Sequence, residues 1–479
     1  MISRLAGWRG LVAVAASTPL LGCAIGPDYL RPAAIVAAQY KEMKGWKLAS
    51  PGDGFAKGEW WKLFGDRELD LLEAQVSVSN QTLKADEANY REALSLIAEA
   101  RAGLFPIVNF DPSLTRTSSP AASSNNLMAQ VTGSWTPDIW GKVRRAIEEE
   151  GAAAQVSAAD LANATLSAQS TLALAYVQLR EEDSMYDLFL DTVRQYQRSL
   201  DITQNQYTAG TAAKSDVITA QTLLLAAQAQ QINTGVLRAQ FEHAIAVLMG
   251  RPPSGLSIPH APLAQGIPAI PVGLPSTLLE RRPDIAASER MMQEANAVIG
   301  VAFGGYYPDL TLTGAYGYIG DPFIKGIAGA NPVWSYGLSL AQTLFNGGLT
   351  DAQVAAARAA YDSTVATYRQ TVLTAFQQVE DNLVAIRIFG EEVKVQIEAV
   401  KAARQAVEIA INEYKAGTQN FTTVVTDEAT ALNDELLLLT TRAERLAAAV
   451  SLVVALGGGW NDSKLPIPFT APLTPPLQP

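Results

Sequence analysis

Few residues of this chain could carry out covalent or metal chemistry. The 479 residues include one cysteine and two histidines, too few to assemble a zinc cage or a cysteine–histidine nucleophile. The run Glu148-Glu149-Glu150 follows Arg144-Arg145 early in a predicted helix, where i,i+4 ion pairing explains it better than catalysis does. The net charge is −11, and −13 beyond residue 22, which disfavours nucleic acid as a partner. We therefore expect no enzymatic activity and no cofactor.

Cys23 is the residue with the clearest covalent role. Arg4 and Arg9 precede an apolar stretch, residues 11–21, that is too short to span a bilayer but fits a secretory signal. The stretch ends in Leu20-Leu21-Gly22-Cys23, which is similar to a bacterial lipobox, whose cysteine becomes the lipidated first residue of the mature protein. Each buried acyl methylene contributes about 0.8 kcal/mol to membrane binding. We predict a signal peptide over residues 1–22 and lipid attachment at Cys23; the alternative is a buried or incidental cysteine.

A short turn sequence occurs twice and organises the rest of the chain. Tyr207-Thr208-Ala209-Gly210-Thr211 returns 207 residues later as Tyr414-Lys415-Ala416-Gly417-Thr418. Each glycine follows helix-terminal residues and can adopt a left-handed cap conformation. Apolar or small residues spaced 3-4-3-4 flank both copies: Val193, Tyr196, Leu200, Thr203 and Tyr207 before the first, and Val400, Ala403, Val407, Ala410 and Tyr414 before the second. The spacing predicts a tandem duplication of long helical hairpins, with tips at about 207–215 and 414–422.

The predicted helices have two length classes. Helices over about 143–207 and 349–414 would extend near 97 Å at about 1.5 Å per residue. Shorter helices over about 75–104, 215–249, 285–305 and 423–457 can lie end to end beside them. A cylinder of antiparallel helices follows from these lengths.

Between the helices, two segments change to a two-residue period. They predict strand hairpins at about 107–136 and 310–345. The apolar face would carry Val108, Phe110 and Leu114; Leu127, Ala129, Val131 and Trp135; Leu310, Leu312, Tyr316 and Tyr318; and Trp334, Tyr336, Leu338, Leu340 and Leu344. Outward apolar residues with aromatics toward the ends are typical of a transmembrane β-barrel wall, and a soluble β-sandwich edge is the alternative. Because four strands cannot close a barrel, several copies of the chain must close it together.

The chain as a whole resembles the outer membrane factor (TolC-like) family, in particular the lipoprotein branch that serves RND-type efflux systems. The resemblance rests on the two turns and on several shorter pieces. These are Gly22-Cys23-Ala24-Ile25-Gly26-Pro27-Asp28-Tyr29, the block from Leu274 to Glu289, Tyr307-Pro308 and Leu344-Phe345-Asn346-Gly347-Gly348. It implies a mainly α fold with a membrane β-barrel portion, in which a homotrimer forms a twelve-stranded barrel continuous with an α-helical barrel.

The resemblance also implies partners and locations. The protein would sit in the Gram-negative outer membrane, anchored by lipid and extending into the periplasm, and would work with a periplasmic adaptor and an inner-membrane RND-type pump. Aromatics at the membrane interface would be Trp135, Tyr316, Tyr318, Trp334 and Tyr336. The two turns, with Tyr207, Gly210, Thr211, Gly417 and Thr418, would form the periplasmic tip that closes the channel and receives the adaptor.

Family members often ring the closed tip with acidic side chains. Asp216 falls on such a position in the first repeat, whereas the second repeat has Gln419, Thr423 and Thr426 there, with Asp427 one step beyond. We therefore take Asp216, Tyr414, Gln419 and Asp427 as gate candidates. The plainer interpretation is that the turns are helix stops and that Asp216 favours a helix start through the dipole.

The predicted organisation is a signal peptide (1–22), a mostly non-helical leader (23–74), a first repeat (75–249), a Pro-rich linker (250–284), a second repeat (285–459) and a tail (460–479). The predicted function is a passive exit duct for small molecules in a tripartite efflux pump. The alternatives are a type I secretion duct and a coiled-coil tether without a channel. The lipobox favours efflux, because secretion ducts of the family usually lack a lipid anchor.

Overall fold

The structure is a computed structural model that describes residues 24–34, 36–37, 39–42, 58–120, 122–270, 272, 278–320, 331–460 and 465. Cys23, the predicted signal peptide and nearly all of the tail lie outside the described residues. The elements are α1 (Arg67–Ser79), α2 (Gln81–Ala102), β1 (Ile107–Ser119), β2 (Ala122–Trp135), α3 (Lys142–Thr208), α4 (Lys214–Leu248), α5 (Leu278–Arg281), α6 (Pro283–Phe303), β3 (Asp309–Gly320), β4 (Asn331–Ala341), α7 (Leu349–Lys415) and α8 (Phe421–Ala455).

Two helices of equal length run the full height of the helical part. The helices α3 and α7 have 67 residues each, which corresponds to about 100 Å. Each begins after a glycine with left-handed backbone, Gly141 and Gly348. In each case a nearby side-chain carboxylate or amide oxygen accepts from the first turn: Asp138 from Val143 N at 3.0 Å, and Asn346 from Leu349 N at 3.1 Å. The duplication therefore extends to the way in which the long helices start.

In the first repeat, α2 stacks on the end of α4 through Asn80. Its Oδ1 accepts from the N–H groups of Thr82 and Leu83 at 2.9 and 3.1 Å, and its Nδ2 donates to the carbonyl of Leu248 at 2.8 Å. One side chain thus caps the start of α2 and satisfies a carbonyl at the end of α4. The neighbouring Gly250 has φ +67°, and a Cβ there would lie 2.0 Å from the carbonyl oxygen of Ser79.

The second repeat stacks α6 on the end of α8 in the same way, but through different residues. We call these two helix-on-helix contacts the stacking joints. Arg282, the N-cap residue of α6, donates to the carbonyl of Ala455 at the end of α8 at 3.0 Å and pairs with Asp284 at 2.6 Å. Gly457 takes the place of Gly250, with φ +93° and a Cβ position 2.0 Å from the carbonyl oxygen of Arg281. Both joints depend on close approach of backbone to backbone, which only glycine permits.

The helices pack side by side in an open row. At the tip end the order is α7, α8, α3, α4, and at the strand end it is α7, α6, α3, α2. The row therefore has two free flanks, α7 on one side and α2 with α4 on the other. Within the described residues, no helix combines the length and apolar character needed to cross a membrane.

The four strands form one antiparallel sheet in the order β1-β2-β3-β4. The register places Phe110 opposite Val131, Val131 opposite Tyr316, and Tyr316 opposite Trp334, in one row across the sheet. All four side chains are exposed, so the apolar face predicted from the alternation exists and is uncovered. The edge strand β1 follows α2 in the chain, and the edge strand β4 precedes α7. Each edge of the sheet is therefore connected to a helix at one free flank of the row.

Two sequence-based boundaries were wrong. The helix predicted from about residue 75 to 104 begins at Arg67, inside the predicted leader, and is divided at Asn80 into α1 and α2. The start of α1 is fixed by Asp66, whose Oδ1 accepts from the N–H groups of Glu68 and Leu69 at 2.9 and 3.3 Å. At the second hairpin, β4 ends at Ala341, so Leu344 lies in the loop before α7 and not on the strand. The alternation of apolar residues continues past Ala341, but β-pairing with β3 does not.

The stacking joints give a stability prediction. Gly457→Ala should lower the free energy of unfolding by more than about 2 kcal/mol, because a left-handed alanine costs about 1–2 kcal/mol before the backbone clash is counted. Gly235→Ala, inside α4 with open space around its Cβ position, should raise stability by about 0.5–1 kcal/mol. Thermal unfolding followed by circular dichroism measures both; equal melting temperatures for the two variants would contradict the assigned joint.

Candidate functional site

The two turns end their helices with the same backbone hydrogen bonds. Gly210 N–H donates to the carbonyl of Tyr207 at 2.9 Å, and Thr211 N–H to that of Gln206 at 2.9 Å. In the second turn Gly417 and Thr418 donate to Tyr414 and Glu413, both at 3.0 Å. This is the Schellman arrangement, and the glycines supply its left-handed residue with φ 77° and 74°.

The threonines of both turns contribute a contact that the sequence analysis missed. The hydroxyls of Thr211 and Thr418 donate to the same carbonyls as their own N–H groups, at 3.0 and 3.1 Å. The signal was present, because a threonine follows the glycine in both copies. The carbonyls of Gln206 and Glu413 thus each accept at least two hydrogen bonds, which stabilises the turns without burying them.

The helices that follow the turns start differently. Asn420 caps α8, with its Oδ1 accepting from Thr423 N at 3.1 Å. At the start of α4 the cap position is Ala213, which offers no side-chain acceptor, and Asp216 is the acidic residue of the first turn. Gln419 accepts from the N–H of Asn420 at 3.1 Å and so belongs to the cap of α8.

The two tips touch each other through Tyr414. Gln206 Nε2 donates to the carbonyl of Tyr414 at 3.1 Å, and the rings of Tyr414 and Phe421 lie 5.2 Å apart between centroids. These aromatics pack with Ala220 of the first repeat and with Val424. Tyr414 is 6% exposed, whereas its counterpart Tyr207 is 45% exposed, since Tyr207 lies near the free flank formed by α4.

Of the four gate candidates, the structure brings Asp216 and Tyr414 together. Burial raises the pKa of the Tyr414 hydroxyl, and the negative charge of Asp216 raises it further. The Asp216 side chain is half-buried and accepts from the hydroxyl of Ser215 at 3.3 Å. Asp427 is half-buried further along α8. The tip therefore combines one carboxylate of the first repeat with a buried aromatic pair of the second.

The aromatics predicted for the membrane interface lie on the exposed face of the sheet. Tyr316, Tyr318, Trp334 and Tyr336 are between 47% and 83% exposed. Trp135 lies at the helical end of the sheet, where its Nε1 donates to the carbonyl of Leu104 at 3.0 Å. The sequence analysis missed a second aromatic group at this end: Trp140 stacks on Tyr307 at 5.1 Å, and its Nε1 donates to the carbonyl of Pro308 at 2.8 Å.

The leader begins at the same strand–helix junction. Ile25 N–H donates to the carbonyl of Trp140 at 3.1 Å, and Asp28 forms an ion pair with Arg145 at 2.8 Å. Tyr29 donates its hydroxyl to Glu289 at 2.6 Å. The Gly-Pro-Asp-Tyr motif of the sequence therefore fixes the leader to both repeats, starting two residues after Cys23.

The sequence profile of the outer membrane efflux protein family matches residues 72–251 and 274–458. The toluene efflux pump outer membrane protein TtgC of Pseudomonas putida is 28% identical over 467 residues, covering 95% of this chain and 96% of TtgC. The pyoverdine export outer membrane protein OpmQ of Pseudomonas aeruginosa is 29% identical, covering 88% of this chain and 91% of OpmQ.

Solved structures with the same fold include two outer membrane channels. The channel OprN has a TM-score of 0.83 at 28% identity, covering 91% of this chain and all of the solved chain. The CmeC channel of Campylobacter jejuni has a TM-score of 0.84 at 20% identity, with 92% of this chain and 96% of that one covered, and this likeness concerns the fold alone.

Proposed function

Since the chain belongs to the outer membrane efflux protein family, and is an outer membrane component of an efflux system with a periplasmic extension, we propose that three copies form a passive exit duct. The sheets of three copies would close one twelve-stranded barrel, and their helices one tunnel of antiparallel helices. The observation that carries the proposal is the open row: one chain has a free edge on each side of both its sheet and its helices.

Exposed apolar stripes on the two free flanks support closure by neighbouring copies. On α4, Ile218, Leu225 and Ile232 recur every seven residues and are 51%, 56% and 77% exposed. On α7, Ile388, Val395 and Ile409 keep the same period and are 45–71% exposed. Seven-residue repeats on two helices are the pattern of a coiled-coil seam. We infer that the α4 stripe of one copy packs against the α7 stripe of the next.

The α4 stripe has a counterpart in the second repeat, because Leu225, Ile232 and Val236 correspond at the 207-residue offset to Leu432, Leu439 and Ala443 of α8. In the second repeat the equivalent positions, among them Leu446, are partly or fully buried, whereas Leu225, Ile232 and Val236 of α4 are exposed. The difference follows from the position of α4 at the flank of the row. The same residue pattern would then serve an intramolecular seam in one repeat and an intermolecular seam in the other.

The partners we propose are a periplasmic adaptor and an inner-membrane RND-type pump that supplies the energy. The support is that relatives such as TtgC are named as outer membrane proteins of efflux pumps. The two tips, at the end of the molecule opposite the sheet, would be the docking and closing end. This role accords with the fold, in which both tips meet at Tyr414. A channel of this kind needs no catalytic group.

The duct is tested by assembly and conductance. The purified protein should run as a heat-modifiable trimer on native gels and conduct ions in planar bilayers. Ile232→Glu places a charge in the α4 stripe and should yield monomers without conductance. Gln230→Glu adds the same charge on another exposed face of α4 and should assemble normally. A wild-type monomer that conducts no ions would refute the duct.

We also propose that Cys23 carries the lipid anchor. The support is the position of Ile25, two residues later, beside Trp140 and Tyr307 at the end of the exposed sheet. Tryptophan and tyrosine side chains are enriched at the membrane–water interface, where a lipid anchor would also lie. Cys23→Ala should abolish incorporation of radiolabelled palmitate. Because Cys23 is the only cysteine of the sequence, undiminished labelling would exclude thiol lipidation altogether.

Asp216 is our proposed electrostatic element of the closed tip. Its charge lies close enough to Tyr414 to raise the pKa of that hydroxyl, and three copies near one axis would favour cations at a constriction. Asp216→Ala should raise single-channel conductance and weaken cation preference. Asp201→Ala, which removes an exposed carboxylate of α3 before the turn, is the control and should change neither. Unchanged conductance in Asp216→Ala would leave Asp216 as a helix-start residue.

A further inference from the structure

A buried carboxylate lies in the seam between the two repeats, behind the tips. Glu428 of α8 is 4% exposed, and Ser199 of α3, equally buried, donates its hydroxyl to Glu428 Oε1. The other carboxylate oxygen, Oε2, is buried and has no hydrogen-bond partner among the described residues. Burial without a full set of partners disfavours the ionised form of a carboxyl group.

The charged groups around Glu428 do not neutralise it. Tyr196 of α3 faces it, and burial followed by the charges of Glu428 and Glu435 raises the pKa of Tyr196 to about 12. Arg404 of α7, which lines the same groove as Glu428, is paired with Glu435. The groove of about 670 Å³ above these residues is also lined by Asp191, Arg194 and Arg198 of α3 and by Glu408 and Lys415 of α7. Within the described part of the chain no lysine or arginine forms an ion pair with Glu428.

Protonation therefore favours the packed seam. Burial raises the pKa of Glu428 from 4.5 to about 7, and the hydrogen bond from Ser199 lowers it by a smaller amount. If the seam opened, water would solvate the carboxyl group and its pKa would return to the ordinary range. The contribution of Glu428 to closure is thus complete below about pH 4.5 and is lost as the pH rises through about 7.

The first repeat lacks this buried pair of a carboxyl group and a hydroxyl. At the 207-residue offset, Gln221 corresponds to Glu428 and Ala406 to Ser199, so neither the acid nor the hydroxyl has a counterpart. Gln221 is exposed on the free flank, whereas Glu428 is enclosed between α3 and α8. The proton-sensitive pair is consequently a property of one seam and not of the turn motif.

We propose that Glu428 is a proton-operated latch between α3 and α8, whose neutral form holds the two repeats together behind the tips and whose ionised form loosens them. The consequence for a channel, a tip that opens more readily at alkaline pH, rests on the proposed function. The latch itself does not, because the packing of α3 on α8 can be measured without any conductance.

Amide hydrogen exchange of the full-length protein tests the latch. Peptides covering residues 196–206 and 421–432 are compared at about pH 6 and about pH 8.5, after correction for intrinsic exchange rates. The wild type should lose protection about tenfold between these pH values, as linkage requires for a carboxyl group that titrates near pH 4.5 when open and near 7 when closed. Glu428→Gln keeps an acceptor for Ser199 and should show no change.

Two further variants separate the latch from a general effect of pH. Glu408→Gln makes the same acid-to-amide change at an exposed position of the groove and should keep the wild-type response. Ser199→Ala removes the hydrogen bond that lowers the pKa of Glu428, so its transition should move to higher pH. A wild-type response that persists in Glu428→Gln, or equal protection of the wild type at both pH values, would overturn the proposal. If Glu428→Gln fails to fold, the direction of the Ser199→Ala shift decides.

Discussion

A β-sheet that faces lipid cannot leave its edge strands unpaired, because hydrocarbon offers no substitute for the missing hydrogen bonds. The sheet of this chain has two such edges, β1 and β4, and an apolar face that crosses all four strands. The helical row is open on the same two sides as the sheet. Further copies of the chain, added around an axis, would therefore pair the strand edges and at the same time cover the apolar stripes of α4 and α7.

Much of this architecture follows from the sequence because it is periodic and repeated. The 207-residue offset, the 3-4 spacing and the two-residue alternation predicted the long helices to within about two residues and the hydrophobic face of every strand. Features without a period were missed. The start of α1 depends on one capping side chain, Asp66, and the end of β4 on where pairing with β3 stops. Neither boundary changes the spacing of the hydrophobic residues in the sequence.

The candidate site shows a deeper limit, which is that identical residues in two repeats need not share an environment. Tyr207 and Tyr414 occupy the same position of the same motif, yet one is exposed at a flank and the other is buried at the contact between the tips. Glu428 looks like an ordinary surface glutamate in the sequence, since buried carboxylates are rare. Its burial depends on which helix lies beside α8, and this neighbour is determined by the order of the whole row.

The leader imposes an order on the folding of the chain. Its contacts reach across long stretches of sequence: Asp28 pairs with Arg145, Tyr29 with Glu289, and Glu42 with Arg387, which is 345 residues away. Such distant contacts form only after the intervening chain is available, and they carry a large loop-closure entropy. The part of the leader from Tyr29 to Glu42 is consequently among the last parts of the chain to reach its native position. A chain that stops short of residue 387 would lack the partner of Glu42, so the leader reaches its complete set of contacts only when the second long helix is nearly finished.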